Sequence, residues 1–207
     1  MFQKFSLFLN NYINFDANKF LKSTYIALMK IEKTFIKDLL VLIPTVFSDE
    51  RGYFLENYNK KNLEHILDID FVQDNESSSQ KGVLRGLHFQ KPPFSQSKLV
   101  RVICGSVLDV VVDLRQDSET YGEYYKHILS AENKQQVFIP EGFAHGFLVL
   151  EDDTIFSYKC SKYYNKESEV SLSWNDATIN IDWEIKNPII SEKDKNAQAF
   201  IDFVTPF

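Results

Sequence analysis

The sequence predicts a mainly β fold, a jelly roll or antiparallel sandwich with a few short peripheral helices. The first observation behind this prediction is a series of short apolar segments that begins at residue 41 and is interrupted by loops rich in Ser, Asn, Asp, Lys and Pro. The second is the alternation in SVLDVVVDLR (106–115), which predicts a strand with one apolar face and a second face that carries the two carboxylates Asp109 and Asp113. The third is size, because 207 residues with 44% hydrophobic content suffice for one sizeable core.

The first predicted elements are a hairpin and a helix. VLIPTVF (41–47) is a predicted strand that leads into a turn at Ser48–Gly52, and YFLENY (53–58) is the next strand. KNLEHIL (61–67) is a predicted short helix, and its His65 is expected to lie in solvent.

Strands then dominate until a second predicted helix near the end of the chain. The segment SEKDKNAQAFIDFV (191–204) is predicted to contain a short helix that begins after Ser191, a residue type that caps helix N-termini. The strands between the two helices are FVQDNESS (71–78), VLRGLHF (83–89), KLVRVICG (98–105), SVLDVVVDLR (106–115), FIPEGF (138–143), FLVL (147–150), TIFSYKC (154–160) and VSLSW (170–174).

Composition excludes several classes of protein. A net charge of −6 argues against a general nucleic-acid binder or a polybasic membrane binder. No apolar run reaches the roughly 18 residues of a membrane helix, and the apolar runs near the start are too short for a secretory signal. Cys104 and Cys160 lack CxxC spacing, so two reduced thiols in the cytoplasm are expected. The motifs GxxxxGK[ST], GxGxxG, HExxH and GxSxG are absent from the sequence.

Residues 1–28 differ from the rest of the chain. They contain no Gly, Pro or Glu, and Met29 then opens a segment that looks like an ordinary start. We expect an extension that is dispensable for function, followed by one functional domain over 29–207. The alternative is an amphipathic helix that covers a partner surface through Phe5, Leu9, Tyr12 and Ile13.

VLRGLHFQ (83–90) is the first segment that could carry chemistry. A guanidinium binds phosphate through two parallel hydrogen bonds, so Arg85 indicates an anionic ligand. A lone His on a strand is more often a satisfied core or surface residue. Strict alternation would place Arg85 and His88 on opposite faces, so both can face one pocket only if Gly86 marks a bulge.

IPEGFAHGFLVL (139–150) is the second such segment. Pro140, Gly142 and His145 fit the P-x-G-x-x-H spacing of the second cupin motif, whose His often binds a metal. The strand that corresponds to the first cupin motif offers only His88. Since a transition metal in a protein takes three or four ligands, no metal site is predicted.

Taken together, the segments resemble one family, the dTDP-4-dehydrorhamnose 3,5-epimerases, which have a cupin-type jelly roll (double-stranded β-helix). The resemblance runs from about Met29 to Val204. Any one segment is weak evidence, but all occur in the family's order. They are DERGYFLE (49–56), FVQDNESS, VLRGLHFQ, KLVRVICGSVLDVVVDLR (98–115), IPEGFAHGFLVL, TIFSYKCSKYY (154–164), WNDATINIDW (174–183) and ISEKD (190–194).

The resemblance implies an isomerase that needs neither cofactor nor metal. Such enzymes invert C3 and C5 of a 4-keto-6-deoxy sugar on dTDP by removing a proton beside the C4 carbonyl and returning it to the opposite face. His88 matches the general base and Asp194 the carboxylate that orients it. Tyr158 matches the proton donor, and Lys98 the cation beside the C4 oxygen.

Substrate-binding positions are implied in the same way. Asp109 is expected either to support His88 or to be a strand carboxylate satisfied by neighbouring donors, and its role stays open. His127 is expected at the surface. The implied binding residues are Arg51, Glu56, Gln73, Asp74, Asn75, Arg85, His145, Glu169 and Lys193.

The expected protein is a cytoplasmic homodimer whose N-terminal arms are exchanged between subunits, with a dTDP-4-dehydro-6-deoxyhexose as its ligand and no nucleic-acid or membrane partner. Two alternatives remain open at this point. One is a mono-epimerase that acts at C3 or C5 only, and the other is a non-catalytic cupin that binds a sugar nucleotide.

Overall fold

The computed structural model describes residues 29–207. The predicted extension at 1–28 lies outside these residues, and its dispensability stays a prediction. The described chain divides into a small unit, Pro44–Asp68, and a large unit made of Ile31–Ile43 and Ile69–Phe207. No helix within 29–207 is long and apolar enough to cross a membrane.

The small unit contains a hairpin and a helix, as the sequence predicts. Strands β3 (Phe47–Asp49) and β4 (Gly52–Phe54) pair antiparallel across the turn. Gly52 has φ +125°, a left-handed conformation that favours glycine. Helix α1 (Lys60–Leu67) follows, with Leu63 and Leu67 buried and the His65 side chain exposed.

The large unit is an antiparallel β-sandwich, which confirms the predicted jelly roll. One sheet has six strands in the order β1-β2-β10-β7-β12-β5, and the other has five in the order β13-β6-β11-β8-β9. The strands are β1 (Met29–Lys33), β2 (Leu40–Pro44), β5 (Gln73–Ser79), β6 (Leu84–Gln90), β7 (Lys98–Cys104), β8 (Ser106–Asp113), β9 (Tyr124–Ser130), β10 (Gln136–Ile139), β11 (Phe143–Val149), β12 (Thr154–Cys160) and β13 (Glu169–Ser171).

Both faces of the five-stranded sheet are covered by apolar side chains. Its inner face contributes Val107, Val111 and Phe147 to a core shared with the six-stranded sheet. Its outer face carries a second cluster, which includes Leu108 and the C-terminal Trp183. Strand β8 is therefore buried on both sides, and the carboxylates predicted for its second face point into the protein interior.

Two features near the surface differ from the sequence prediction. Strand β9 was not predicted, because YYKHILS mixes polar and apolar residues without clear alternation. Its His127 is half-buried rather than at the surface: Nε2 lies 2.6 Å from Gln135 Oε1, and Nδ1 lies 3.3 Å from the Tyr125 hydroxyl.

The segment 191–204 contains the short helix that the sequence predicts. Helix α2 covers Glu192–Lys195, and Ser191 caps it as predicted. Gln198 forms a bridge to Leu172, and one 3₁₀ turn, Phe200–Asp202, follows. The residues after α2 therefore take part in tertiary contacts and do not extend the helix.

Candidate active site

A cavity of about 440 Å³ lies in the large unit and is lined by side chains of both sheets. A second cavity of about 320 Å³ shares three of its lining residues, His88, Lys98 and Tyr158. These three are among the four predicted catalytic residues, and the fourth, Asp194, lines the larger cavity. The fold thus gathers all four at one place.

A bulge in β6 lets Arg85 and His88 face the same cavity. On the neighbouring strand β11, His145 is opposite His88 and Phe147 is opposite Arg85, so two steps along β11 match three along β6. Gly86 therefore marks the bulge that the sequence requires if Arg85 and His88 are to face one pocket. Gly86 has φ +130°, and a Cβ there would lie 2.5 Å from the Gly146 Cα.

His88 and Asp194 form a hydrogen-bonded dyad. The His88 Nε2 lies 2.5 Å from Asp194 Oδ1, and the Asp194 side chain is only 3% exposed. Ser191 donates its hydroxyl to Asp194 Oδ2 at 2.9 Å. Burial raises the pKa of Asp194, but the hydrogen bond and charge of His88, the Ser191 hydroxyl and the charge of Lys193 together hold it below its usual value. The carboxylate is therefore ionised at neutral pH.

Tyr158 and Lys98 come from the opposite sheet. They lie on the paired strands β12 and β7, and the Lys98 Nζ is 5.9 Å from the centroid of the Tyr158 ring. Burial raises the pKa of Tyr158, an effect that the nearby charge of Arg85 opposes. Desolvation lowers the pKa of Lys98. A neutral phenol and a desolvated amine thus face the dyad.

A second His–Asp pair lies beside the first. The His145 Nε2 is 2.7 Å from Asp109 Oδ1, and the side chains are 7% and 1% exposed. The bonded partner of Asp109 is therefore His145 and not His88, which corrects the first expectation for this carboxylate.

The smaller cavity is lined by three of the nine predicted binding residues, Gln73, Asn75 and Glu169. Gln73 Nε2 donates to Asn75 Oδ1 at 3.1 Å on strand β5. Lys193 pairs with Glu169 at 2.6 Å, and the Tyr164 hydroxyl also donates to Glu169. Burial raises the pKa of Glu169, but these two partners and the charge of His88 hold it below its usual value.

Two predicted binding residues of the large unit, Asp74 and Lys193, line neither cavity. Asp74 points outward on β5, where it pairs with Lys159 at 2.7 Å and lines neither cavity. Arg51 and Glu56 belong to the small unit. There Arg51 bonds Asp49, and Glu56 accepts hydrogen bonds from Asn59 and Asn62.

Sequence reasoning missed Ser79, which holds Arg85. The Ser79 hydroxyl accepts hydrogen bonds from Arg85 Nε at 3.2 Å and from Nη2 at 3.0 Å. Alternation along QDNESSS places Ser79 on the same face as Gln73 and Asn75. The alternation could therefore have identified Ser79 as a residue on the same side of the strand as these two predicted binding residues.

The two cysteines lie at opposite ends of one strand pair. Cys160 is opposite Lys98, and Cys104 is opposite Ile155, so the two thiols are far beyond disulfide reach. Burial raises the pKa of the Cys160 thiol. Both cysteines are free, as the sequence predicts.

Comparison with known proteins places this arrangement in a family. Residues 33–202 match the family model described as dTDP-4-dehydrorhamnose 3,5-epimerase. A curated relative of that name from Shigella flexneri is 51% identical over 176 residues, which cover 84% of this chain and 97% of the relative.

Solved structures agree with this match. The dTDP-4-dehydrorhamnose 3,5-epimerase from Elizabethkingia anophelis has 55% identity and a TM-score of 0.81, covering 84% of this chain and 98% of that chain. The dTDP-6-deoxy-D-glucose-3,5-epimerase from Legionella pneumophila, in complex with dTDP-4-keto-L-rhamnose, has 47% identity and a TM-score of 0.80, covering 84% and 95%. The chain described here therefore belongs to the dTDP-4-dehydrorhamnose 3,5-epimerase family.

Proposed function

We propose that this chain is a cofactor-independent isomerase that converts dTDP-4-dehydro-6-deoxy-D-glucose to dTDP-4-dehydro-L-rhamnose. The observation that carries the proposal is the placement of His88, bonded to Asp194 of α2, on one sheet and of Tyr158 and Lys98 on the other. An inversion beside a ketone needs a base and an acid on opposite faces of the sugar and a group that stabilises the enolate. Membership of the family supports the same reaction.

In this mechanism His88 removes the proton beside the C4 carbonyl. Asp194 accepts the hydrogen bond of Nε2, which keeps the ring proton on that atom and leaves Nδ1 as the base. The electron pair moves onto the C4 oxygen, where the Lys98 ammonium stabilises the negative charge. Tyr158 then returns a proton to the opposite face, and its raised pKa keeps it protonated for that step.

The nucleotide would be bound by cationic side chains at and beside the two cavities. Arg85, which is hydrogen-bonded to Ser79, faces the larger cavity. Lys193 forms an ion pair with Glu169, and Glu169 lines the smaller cavity. This placement lets a chain of net charge −6 bind a pyrophosphate. Gln73, Asn75 and His145 add hydrogen-bonding groups, whereas Asp74 would act only from outside the cavities.

We further propose that the protein is a cytoplasmic homodimer in which the arm carrying Arg51 and Glu56 reaches the partner subunit. The arm exposes Phe47, Tyr53 and Phe54, and the Arg51 side chain is 82% exposed. Exposed aromatic side chains of this kind mark protein interfaces. Two free cysteines fit a reducing compartment.

The proposal is tested by proton exchange in deuterated buffer. Purified protein and the 4-keto substrate should yield deuterium at both C3 and C5, detected by NMR, and the rate should survive exhaustive chelation. His88→Ala is the matched control and should abolish exchange at both carbons.

Other outcomes would identify the alternatives. Deuterium at a single carbon would indicate a mono-epimerase. Binding of the dTDP-sugar without exchange would indicate a non-catalytic binding protein. Loss of activity on chelation would overturn the metal-free mechanism.

A further inference from the structure

Asp109 is a buried carboxylate that the mechanism above does not use. It is 1% exposed, and its Oδ2 atom has no hydrogen-bond partner within the described chain. A buried carboxylate oxygen without a donor costs free energy. The alternating neighbours Val107 and Val111 show that this face of β8 accepts apolar side chains. The charge at this position therefore calls for a functional explanation.

The first contact of Asp109 is with His145. On the paired strands β8 and β11, His145 is opposite Val111, so Asp109 is its diagonal neighbour, within reach of the ring. The 2.7 Å hydrogen bond between Nε2 and Oδ1 holds a proton on Nε2. Nδ1 has no bonded partner among residues 29–207, so this atom is left for a bound molecule in the cavity.

The second relationship is electrostatic and involves Lys98. None of the ion pairs formed within residues 29–207 includes this ammonium, although it borders both cavities. Its desolvation lowers its pKa, and only nearby negative charge opposes this. The titratable groups that share a cavity with it or act on its charge are Cys160 and Tyr158 on β12, Asp109 on β8, Arg85 and His88 on β6, His145 on β11, Glu76 on β5, Glu169 on β13, Lys193 and Asp194 on α2, and Tyr164.

Asp109 is therefore the acidic group at the inner wall of the sandwich that acts on both cavity donors. Glu169 also acts on Lys98, but it is engaged by Lys193 and Tyr164. Asp194 shares the larger cavity with Lys98, but it is engaged by His88 and Ser191. Asp109 has a single bonded partner, His145.

We propose that Asp109 is a positioning residue for the epimerisation, which fixes the tautomer and orientation of His145 and keeps Lys98 a cation. This rests on the proposed function, because the two donors matter only if a sugar enolate forms between them. Asp109 itself does not touch the substrate.

The first test is the pH profile of Asp109→Asn, which keeps the size of the side chain but removes its charge. Without that charge the pKa of Lys98 falls further, and the cation is lost at a lower pH. The alkaline limb of kcat/KM should therefore move to lower pH by roughly half a unit or more. At neutral pH kcat/KM should fall about 10- to 100-fold, the loss expected for one charge-assisted hydrogen bond.

The second test needs no variant at Asp109. In ¹⁵N-histidine NMR spectra of the wild-type protein, with His145→Gln used only to assign the signal, His145 should carry its proton on Nε2. A neutral ring with its proton on Nδ1 would overturn the proposal, even if Asp109→Asn failed to fold.

Asp113→Asn is the matched control for the pH profile. Asp113 is the other fully buried carboxylate of β8, but it bonds Arg115, Ser118 and Thr120 and lines neither cavity. Its replacement should lower stability and leave the alkaline limb in place. An unshifted limb in Asp109→Asn would contradict the proposal. Absence of exchange in the wild-type protein would instead contradict the proposed function.

Discussion

At the scale of single residues, Ser191 links the start of a helix to the catalytic dyad. Its hydroxyl accepts a hydrogen bond from the Asp194 backbone N–H at 3.1 Å and donates to Asp194 Oδ2 at 2.9 Å. Ser191→Ala should therefore lower kcat about tenfold, because one hydrogen bond that orients the dyad is lost. It should also lower the free energy of unfolding by about 1 kcal/mol, the usual value of such a cap.

Steady-state kinetics and urea denaturation measure the two effects separately. Ser191→Thr keeps the hydroxyl and should retain most of kcat. If Ser191→Ala loses stability but keeps the wild-type kcat, the residue caps the helix without serving the dyad.

The sequence could predict which residues gather at the site, but not all of their contacts. The motif resemblance names His88, Lys98, Tyr158 and Asp194, and the fold brings all four together. It leaves open the partner of Asp109, because alternation along a strand tells which face a side chain is on and not which neighbour it bonds. That partner follows from the register of β8 against β11, which is a long-range property.

At the scale of elements, the bulge in β6 determines whether the cavity forms. A Cβ at Gly86 would lie 2.5 Å from the Gly146 Cα and 2.9 Å from the His145 carbonyl oxygen, so backbone atoms would have to move. Its φ of +130° adds strain for any L side chain. We expect Gly86→Ala to cost roughly 3 kcal/mol or more of folding free energy and to abolish activity.

Gly82→Ala is the control for this prediction. Gly82 also has a positive φ, but a Cβ there meets only Ile185 Cδ1 at 3.9 Å. The cost should be limited to the backbone strain of about 1–2 kcal/mol, and activity should be retained. Equal costs in the two variants, measured by chemical denaturation, would show that strain alone and not the close approach of β6 and β11 makes Gly86 necessary.

Prediction of the elements from sequence depended on how regular each pattern was. The alternating β8 was predicted, whereas only the two ends of β11 fell in predicted strands, FIPEGF (138–143) and FLVL (147–150). Strand β9 was missed because Lys126 and His127 interrupt its apolar pattern. The short C-terminal helix was predicted from its capping Ser191, while the bridge from Gln198 to Leu172 forms only in the folded chain.

At the scale of the whole molecule, the proposed exchange of arms predicts that two inactive variants complement each other. Arg51→Ala removes the proposed contribution of the arm, and His88→Ala removes the base in the large unit. In a mixed dimer, one site would combine an intact arm with an intact dyad, and the other site would lack both.

Unfolding and refolding a 1:1 mixture of the two variants should therefore restore activity to about a quarter of the wild-type value. Half of the dimers are then mixed, and each of these has one complete site. Refolding each variant alone is the control and should give no recovery. Size-exclusion chromatography with light scattering should show a dimer throughout. A mixed dimer without recovered activity would mean that each arm serves the site of its own subunit. In that case neither site of the mixed dimer would combine an intact Arg51 with an intact His88.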